Sequence, residues 1–184
     1  MFQLTLENER GKQIILHPST EYVVTNIQGL TPPTATINSS VVALQDGEVY
    51  NSARVNIRNI VISVKPQPDV EKNRIALYDV AKTKHWCKLY FKSDTRDVYI
   101  EGYIESVDGS LFEMSQEIQI SILCHKPYFV AMETIITEMS KTLDLFEFPF
   151  AIEKEGIEIS RIEDDLVKTI INNGDVETGI IIEM

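Results

Sequence analysis

Alternation of apolar and polar residues, which is typical of a half-buried β-strand, runs through most of the chain. The first example is FQLTLENERGKQIIL, in which two short strands flank a polar turn at residues 8–12. The most regular example is LFEMSQEIQISILC, where even positions from Phe112 to Cys124 are mostly apolar and odd positions are mostly polar. Because successive strand residues point to opposite faces, one face of this strand is predicted to lie in the core, with Cys124 at its end.

Further strands are predicted at EYVVTNIQG, WCKLYF and DVYIEGYIESV. The stretch 51–65 contains two apolar phases: Val55 and Ile57 belong to the first, and the second begins at Ile60. A slip of one residue in a period-2 pattern predicts a bulge or bend within one long strand.

One segment, PDVEKNRIALYDVAK, is predicted to be helical. Asp69 is expected to cap its N-terminus, and Glu71 lies in the first turn, where a negative charge interacts favourably with the helix dipole. The predicted core-facing stripe consists of Val70, Ile75, Leu77, Tyr78 and Ala81. The fold class is therefore predicted as mainly β (α+β) with one main helix.

Charge divides the chain near residue 130. The net charge of the 184 residues is −11, but residues 1–130 contribute only −2 and residues 131–184 contribute −9. The acidic segment ends in DLVKTIINNGDVETGIII, which reads as strand, Asn-Asn-Gly-Asp turn, strand. We therefore expect a domain boundary near residue 130.

Composition excludes several classes of protein. An acidic chain without a Lys/Arg cluster repels phosphate backbones, which argues against nucleic-acid binding. No apolar run is long enough for a transmembrane helix, and the N-terminus lacks the basic and apolar regions of a secretory signal, so synthesis in a cytosol is expected. Cys87 and Cys124 are then expected to be free, buried thiols.

The adjacent pair Cys124-His125 suggests a reactive or metal-binding site at first sight. On an extended strand, however, the two side chains point to opposite faces, so they cannot act together as nucleophile and base. His17 and His85 are remote in sequence, and no ligands are spaced as in a zinc site, although His85 and Cys87 lie two residues apart. A structural role is predicted for these residues.

The acidic residues form no catalytic pattern either. Residues 163–165 are a carboxylate run without the spacing of a calcium loop, and a solvated turn explains them. Glu101 and Glu105 are a possible glycosidase pair, but an acidic chain produces such pairs by chance. Arg54 and Arg58 are equally consistent with subunit contacts and with surface solvation. No catalytic, cofactor-binding or metal-binding residue is assigned, and no cofactor is expected.

Several segments in order resemble one known family. They are the bent strand ARVNIRNIVISV, the corner ISILCHKPYF, the segment FEFPF and the hairpin NNGDVET, and together they resemble the distal tail (Dit) proteins of siphophages and prophages. The resemblance covers essentially the whole chain. In place of the Pro-Asp usual at the family's corner, this chain has His125-Lys126.

The resemblance implies two domains. Residues 1–130 would form a β-sandwich or barrel-like belt domain with one helix, six copies of which form a ring at the distal end of the tail tube. Residues 131–184 would begin a galectin-like β-sandwich, truncated relative to the family. Such a ring joins the tail tube protein to the tail tip, baseplate hub or receptor-binding proteins, and the chain would be made in the bacterial cytoplasm and reside in the virion tail tip.

Two alternatives remain beside this non-enzymatic, structural role. A carbohydrate-binding β-sandwich module needs exposed aromatic side chains, but the only tryptophan, Trp86, lies in WCKLYF, a predicted core strand. A tail-associated glycosidase needs a convincing acid pair, which the sequence lacks. A hexameric ring in solution would support the structural role, and a monomer that binds glycans would support the carbohydrate-binding module.

Overall fold

A computed structural model describes residues 2–44, 46–110, 116–133, 136, 140–144, 160–164, 167, 169–172, 174–179 and 181–182, with only the backbone for residues 140–144 and 160–164. The chain divides into two compact units, Met1–Met132 and Glu133–Met184.

The described part of the first unit contains ten strands and one helix. In chain order these are β1 (Gln3–Asn8), β2 (Gln13–Leu16), β3 (Tyr22–Gln28), β4 (Ala35–Val41), β5 (Glu48–Val55), β6 (Arg58–Pro66), α1 (Val70–Val80), β7 (Trp86–Lys92), β8 (Asp97–Gly109), β9 (Ile118–Cys124) and β10 (Val130–Ala131).

Eight of these strands form one antiparallel sheet in the order β2-β1-β7-β8-β9-β6-β3, with β10 also paired to β8. The two edge strands, β2 and β3, approach each other, and α1 packs against β1, β2 and β6. The sheet therefore curls around one apolar core. The largest fully buried side chains of that core are Leu4, Leu6, Leu16, Ile60, Ile62, Leu77, Leu89, Ile100, Ile104, Ile118, Ile120 and Ile122.

The mainly-β fold with one helix is confirmed, and so is the predicted hairpin at the start of the chain. The predicted alternation is confirmed for residues 118–124, since Ile118, Ile120, Ile122 and Cys124 are all buried. The strand begins at Ile118, so residues 116 and 117 of the predicted strand lie outside it, and residues 112–115 lie outside the described residues. These strands are read correctly because one face meets the core and the other meets water, which leaves a period of two in the sequence.

The prediction of one long bent strand at residues 51–65 is wrong. Strand β5 ends at Val55 and β6 begins at Arg58, and the two strands belong to different sheets. The one-residue slip in the apolar pattern marks the point at which the chain leaves a separate hairpin and enters the main sheet.

The helix lies where it is predicted, but its details differ. Asp69 occupies the N-cap position without a side-chain capping hydrogen bond, whereas Glu71 lies in the first turn as expected. Leu77 and Ala81 are buried, whereas Ile75 is exposed. No helix among the described residues is long and apolar enough to cross a membrane.

The described part of the second unit contains one antiparallel pair, β11 (Ser140–Asp144) with β12 (Ser160–Asp164). The predicted turn after residue 171 is present, because the Asn172 side chain accepts a hydrogen bond from the Gly174 N–H and donates one to the Val176 carbonyl. The described residues beside this turn are not in strands. The segment FEFPF and half of the residues of the proposed galectin-like domain lie outside the described residues.

Candidate interaction surfaces

Strands β4 and β5 form a two-stranded hairpin that is separate from the main sheet. Its register runs from Ala35 opposite Val55 to Val41 opposite Glu48, with an irregularity after Asn38. Every residue of β4 is exposed, and so is every residue of β5 except Val55. Because an isolated pair of strands is only marginally stable in water, this exposure points to a partner. We call residues 35–55 the arm.

The two faces of the arm differ in polarity. Residues paired across the strands share a face, and positions two apart in β4 lie on the same side. One face carries Ala35, Ile37, Val41, Tyr50, Ala53 and Val55, together with Ser39 and Glu48. The other face carries Thr36, Asn38, Ser40, Val49, Ser52 and Arg54.

The apolar face of the arm is well exposed to solvent. The exposed fractions of Ile37, Val41 and Tyr50 are 66%, 75% and 63%. The tip adds Leu44, an exposed residue with a positive φ of 67°. Large apolar side chains exposed together on one face are typical of interaction sites.

The base of the arm is closed by backbone and side-chain contacts. The Asn56 N–H donates to the Thr34 carbonyl at 2.9 Å, and the Thr36 hydroxyl lies 2.9 Å from the Asn56 amide oxygen. Residues 34 and 56 are therefore neighbours, and the arm is an insertion between two points that already touch.

Arg58, the first residue of β6, fixes the segment leading to the arm. Its guanidinium donates to the carbonyls of Gly29 (2.6 Å), Thr31 (2.8 Å) and Pro127 (2.7 Å), and it lies 4.8 Å from the centre of the Phe129 ring. Burial lowers the pKa of Arg58. The prediction of a surface or subunit-contact role is wrong for Arg58, because this side chain is buried and bound to carbonyls of its own chain. Arg54, by contrast, is exposed on the polar face of the arm.

A second candidate surface lies on the side of the main sheet that faces away from the core. Three successive cross-strand pairs of β7 and β8 occupy it: Trp86 with Tyr103, Lys88 with Glu101, and Tyr90 with Tyr99. These residues alternate with buried Cys87, Leu89, Ile100, Gly102 and Ile104. We call these six side chains the outer face. Trp86 is half-buried on this face, so its predicted place in the core is wrong.

Electrostatic contacts hold the outer face together. The Lys88 ammonium lies 4.4 Å from the centre of the Tyr99 ring, within 6 Å of the rings of Trp86 and Tyr90, and 3.6 Å from the Glu101 carboxylate. This arrangement combines an ion pair with cation–π contacts, so the charge of Lys88 is compensated locally.

The edges of the outer face are also ordered. The Tyr90 hydroxyl donates to the Glu7 carboxylate at 2.8 Å, and burial together with this bond raises the pKa of Tyr90 to about 12. At the other edge, the His125 ring meets Tyr103 edge-on with 5.8 Å between ring centres. His125 therefore contacts an aromatic side chain on the outer face and not its neighbour Cys124.

Cys124 and His125 point in opposite directions, as predicted. Cys124 is fully buried, whereas His125 is exposed. Cys87 is also buried, and burial raises the pKa of Cys87 to about 12 and that of Cys124 to about 11. Both thiols are thus protonated at neutral pH and poorly suited to nucleophilic chemistry.

The other candidate residues from the sequence, His85, His17 and Glu105, make separate contacts with different partners. His85 lies 2.9 Å from Glu9 at the surface, and the imidazole of His17 accepts a hydrogen bond from the Ser19 N–H. Glu105 lies within hydrogen-bond distance of the Ser121 hydroxyl. No group of three or more His, Cys, Asp or Glu among the described residues is arranged to hold a metal ion. The side chains of residues 163–165 lie outside the description.

Sequence reasoning missed the arm. Its signal is the Asp46-Gly47 pair, which is a common hairpin turn, between the short apolar segments that contain Val41 and Val49. In the structure Gly47, with a positive φ of 86°, ends the longer loop 42–47 that joins β4 to β5.

The solved structures that share this fold include phage hub and baseplate proteins. The Dit protein of phage SPP1, described as a paradigm of the hub adsorption apparatus in phages that infect Gram-positive bacteria, matches 76% of this chain with a TM-score of 0.54 and 12% identity. Structures of the phage P2 baseplate in its activated conformation, with Ca and with Sr, each match 86% of this chain with 13% identity and TM-scores of 0.54 and 0.53.

The likeness at these identities is one of fold. This chain spans 54% of the SPP1 protein and 59% of the P2 chains, and no protein family and no curated protein matches its sequence. The resemblance to distal tail proteins that the sequence shows is confirmed at the level of the fold.

Proposed function

We propose that this chain is a structural component of a phage or prophage tail, forming a hexameric ring at the distal end of the tail tube. The ring joins the tube to the tail tip or baseplate and resides in the virion, after synthesis in the host cytoplasm. The observation that carries the proposal is the fold shared with the SPP1 Dit protein and the P2 baseplate chains.

The arm supports a role in assembly. Within the described part of the chain its apolar face is exposed, with Ile37, Val41 and Tyr50 all more than half exposed. A ring of identical subunits requires a head-to-tail contact, in which one surface of each copy binds a different surface of the next. An arm that projects from the main sheet is suited to provide one side of such a contact.

The domain organisation is part of the same proposal. Residues 1–130 form the ring, and residues 131–184 begin an outward-pointing galectin-like domain. The partners are further copies of the chain, the tail tube protein on one side, and tip, baseplate hub or receptor-binding proteins on the other. The role is non-enzymatic, in keeping with the dispersed carboxylates and the protonated thiols described above.

The test is the oligomeric state of the full chain. Light scattering coupled to size exclusion is expected to give a concentration-dependent species of six times 20.9 kDa, and negative-stain images are expected to show closed rings. A chain that stays monomeric at all concentrations, both alone and with the tail tube protein, would overturn the proposal.

A carbohydrate-binding module is the alternative, and one observation favours it. Trp86, Tyr90, Tyr99 and Tyr103 lie on the outer face, where aromatic rings can meet sugar rings. A monomer whose intrinsic tryptophan fluorescence shifts on titration with host cell-wall polysaccharide would support this alternative. The same titration with a ring-forming chain that shows no shift would eliminate it.

A further inference from the structure

We infer that the apolar face of the arm docks on the outer face of the next copy of the chain. This inference rests on the proposed ring, and it names the two surfaces that meet between neighbouring subunits. In the described part of a single chain the arm is exposed along β4 and β5, whereas the outer face is half-buried except at the exposed Tyr103, so a neighbouring copy can cover both surfaces further.

The chemistry of the two surfaces matches. The outer face contributes one tryptophan and three tyrosines, residue types that dominate the binding energy of protein interfaces. The apolar face of the arm contributes small and β-branched side chains and one tyrosine, Tyr50. Aromatic and β-branched side chains pack well against each other across sheet surfaces.

The charges of the outer face do not oppose this docking. Lys88 is paired with Glu101 and surrounded by aromatic rings, and Glu7 accepts a hydrogen bond from Tyr90. Covering the outer face therefore leaves the charges of that face compensated, which removes the usual obstacle to burying ionised groups. The one ionised side chain on the apolar face of the arm, Glu48, lies at the end of that face opposite Val41 and contacts the Ser39 hydroxyl. A strongly charged partner would gain little from a face whose charges are already paired.

The arm is long enough to cover the outer face. Strand β4 has seven residues, or roughly 23 Å at the rise of a β-strand, whereas the outer face spans residues 86–90 of β7, or roughly 16 Å. The arm is two strands wide, and so is the outer face, which lies on β7 and β8. Two such layers pack face to face about 10 Å apart. Because the arm and the outer face are different surfaces, their contact is head-to-tail and closes a ring when the rotation permits.

Two variants test the contact from its two sides. Ile37→Glu places a charge on the apolar face of the arm, and Tyr103→Glu places one on the outer face, where Tyr103 is 48% exposed. Each variant is expected to weaken self-association by at least about 30-fold, the effect of losing one interface hot spot. Trp86→Ala, which removes the partner of Tyr103 without adding a charge, is expected to weaken association in the same direction.

Controls separate docking from folding. Asn38→Ala changes the polar face of the arm, and Ile75→Ser removes an equally exposed apolar side chain on α1. Both control variants are expected to assemble like the unmodified chain. All variants are compared by urea unfolding, so that a loss of assembly is attributed to the interface only where the unfolding midpoint is retained.

Mixing the two variants gives the decisive result. Ile37→Glu keeps an intact outer face and Tyr103→Glu keeps an intact arm, so an equimolar mixture is expected to form 1:1 dimers although neither variant associates alone. A Tyr103→Glu and a Trp86→Ala variant that both assemble like the unmodified chain would overturn the inference and leave the ring proposal standing. If the same variants instead lose binding to tail tube protein or polysaccharide, the face belongs to that partner. An unmodified chain that stays monomeric both alone and with the tail tube protein would overturn both proposals.

Discussion

The Arg58 guanidinium donates a 2.6 Å hydrogen bond to the carbonyl of Gly29, across the base of the arm. The same side chain binds the carbonyls of Thr31 and Pro127. One arginine therefore ties the segment that enters the arm to the corner that follows β9.

Replacing Arg58 is expected to destabilise the chain strongly. Arg58→Met leaves three carbonyls without their donor and removes the contact with Phe129, which together cost about 3–5 kcal/mol of unfolding free energy. Arg58→Lys keeps the charge but lacks the planar, forked donors, so an intermediate loss is expected. Urea unfolding measures both, with Arg54→Met as the matched control; this exposed arginine is expected to contribute less than about 0.5 kcal/mol. Equal losses of unfolding free energy in Arg58→Met and Arg54→Met would contradict the structural role of Arg58.

The stability of the fold is expected to decrease at alkaline pH. The thiols of Cys87 and Cys124 have an ordinary pKa of 9.0, which burial raises to about 12 and about 11 in the folded chain. Below pH 9 both states keep these protons. As the pH rises above 9, the unfolded chain loses protons that the folded chain retains, so the free energy of unfolding decreases.

The expected loss between pH 8 and pH 10 is roughly 2–3 kcal/mol, because each of the two thiols contributes about 1.4 kcal/mol per pH unit once the pH exceeds the pKa of the unfolded chain. Urea midpoints across this range provide the measurement. A Cys87→Ala, Cys124→Ala double variant is the control and should show a much flatter dependence on pH. Parallel curves for the two proteins would assign the pH dependence to other groups.

How far the sequence predicts the fold depends on whether a strand faces the core. Strand β9 is predicted correctly because buried Ile118, Ile120 and Ile122 alternate with polar or half-buried positions. The arm has no core to face, so its pattern is weak, and its last residues run directly into β6. The slip between Val55 and Ile60 consequently resembles a bulge.

The candidate surfaces depend on pairing that the sequence does not contain. Trp86 and Tyr103 are 17 positions apart, and only the register of β7 with β8 places them side by side. The segment WCKLYF is apolar at almost every position, so alternation does not tell which side chains point outward. Arg58 is similar, because its partners Gly29, Thr31 and Pro127 come from three separate parts of the chain.

Gly102 is expected to be irreplaceable at the centre of β8. It lies opposite Cys87 in the neighbouring strand, and an added Cβ would lie 2.8 Å from a methyl carbon of Ile122 and 3.0 Å from the Cys124 sulfur. Gly102→Ala is therefore expected to lower the unfolding free energy by about 1–3 kcal/mol through overpacking. Gly109→Ala in the same strand is the control, since its Cβ would meet neighbours at 3.4 Å or more. Equal melting temperatures for Gly102→Ala and Gly109→Ala would show that Gly102 is not required by close packing.

Removal of the arm is expected to abolish assembly without unfolding the main sheet. The Asn56 N–H donates to the Thr34 carbonyl, so residues 35–55 can be replaced by a two-residue Asn-Gly turn between positions that already touch. Strands β4 and β5 contribute no side chain to the apolar core, so the midpoint of urea unfolding should stay within the equivalent of about 1 kcal/mol. Light scattering should then give a monomer at concentrations where the full chain associates. A shortened chain that still assembles would exclude the arm from the subunit contact, and one that fails to fold would show that the arm stabilises the sheet.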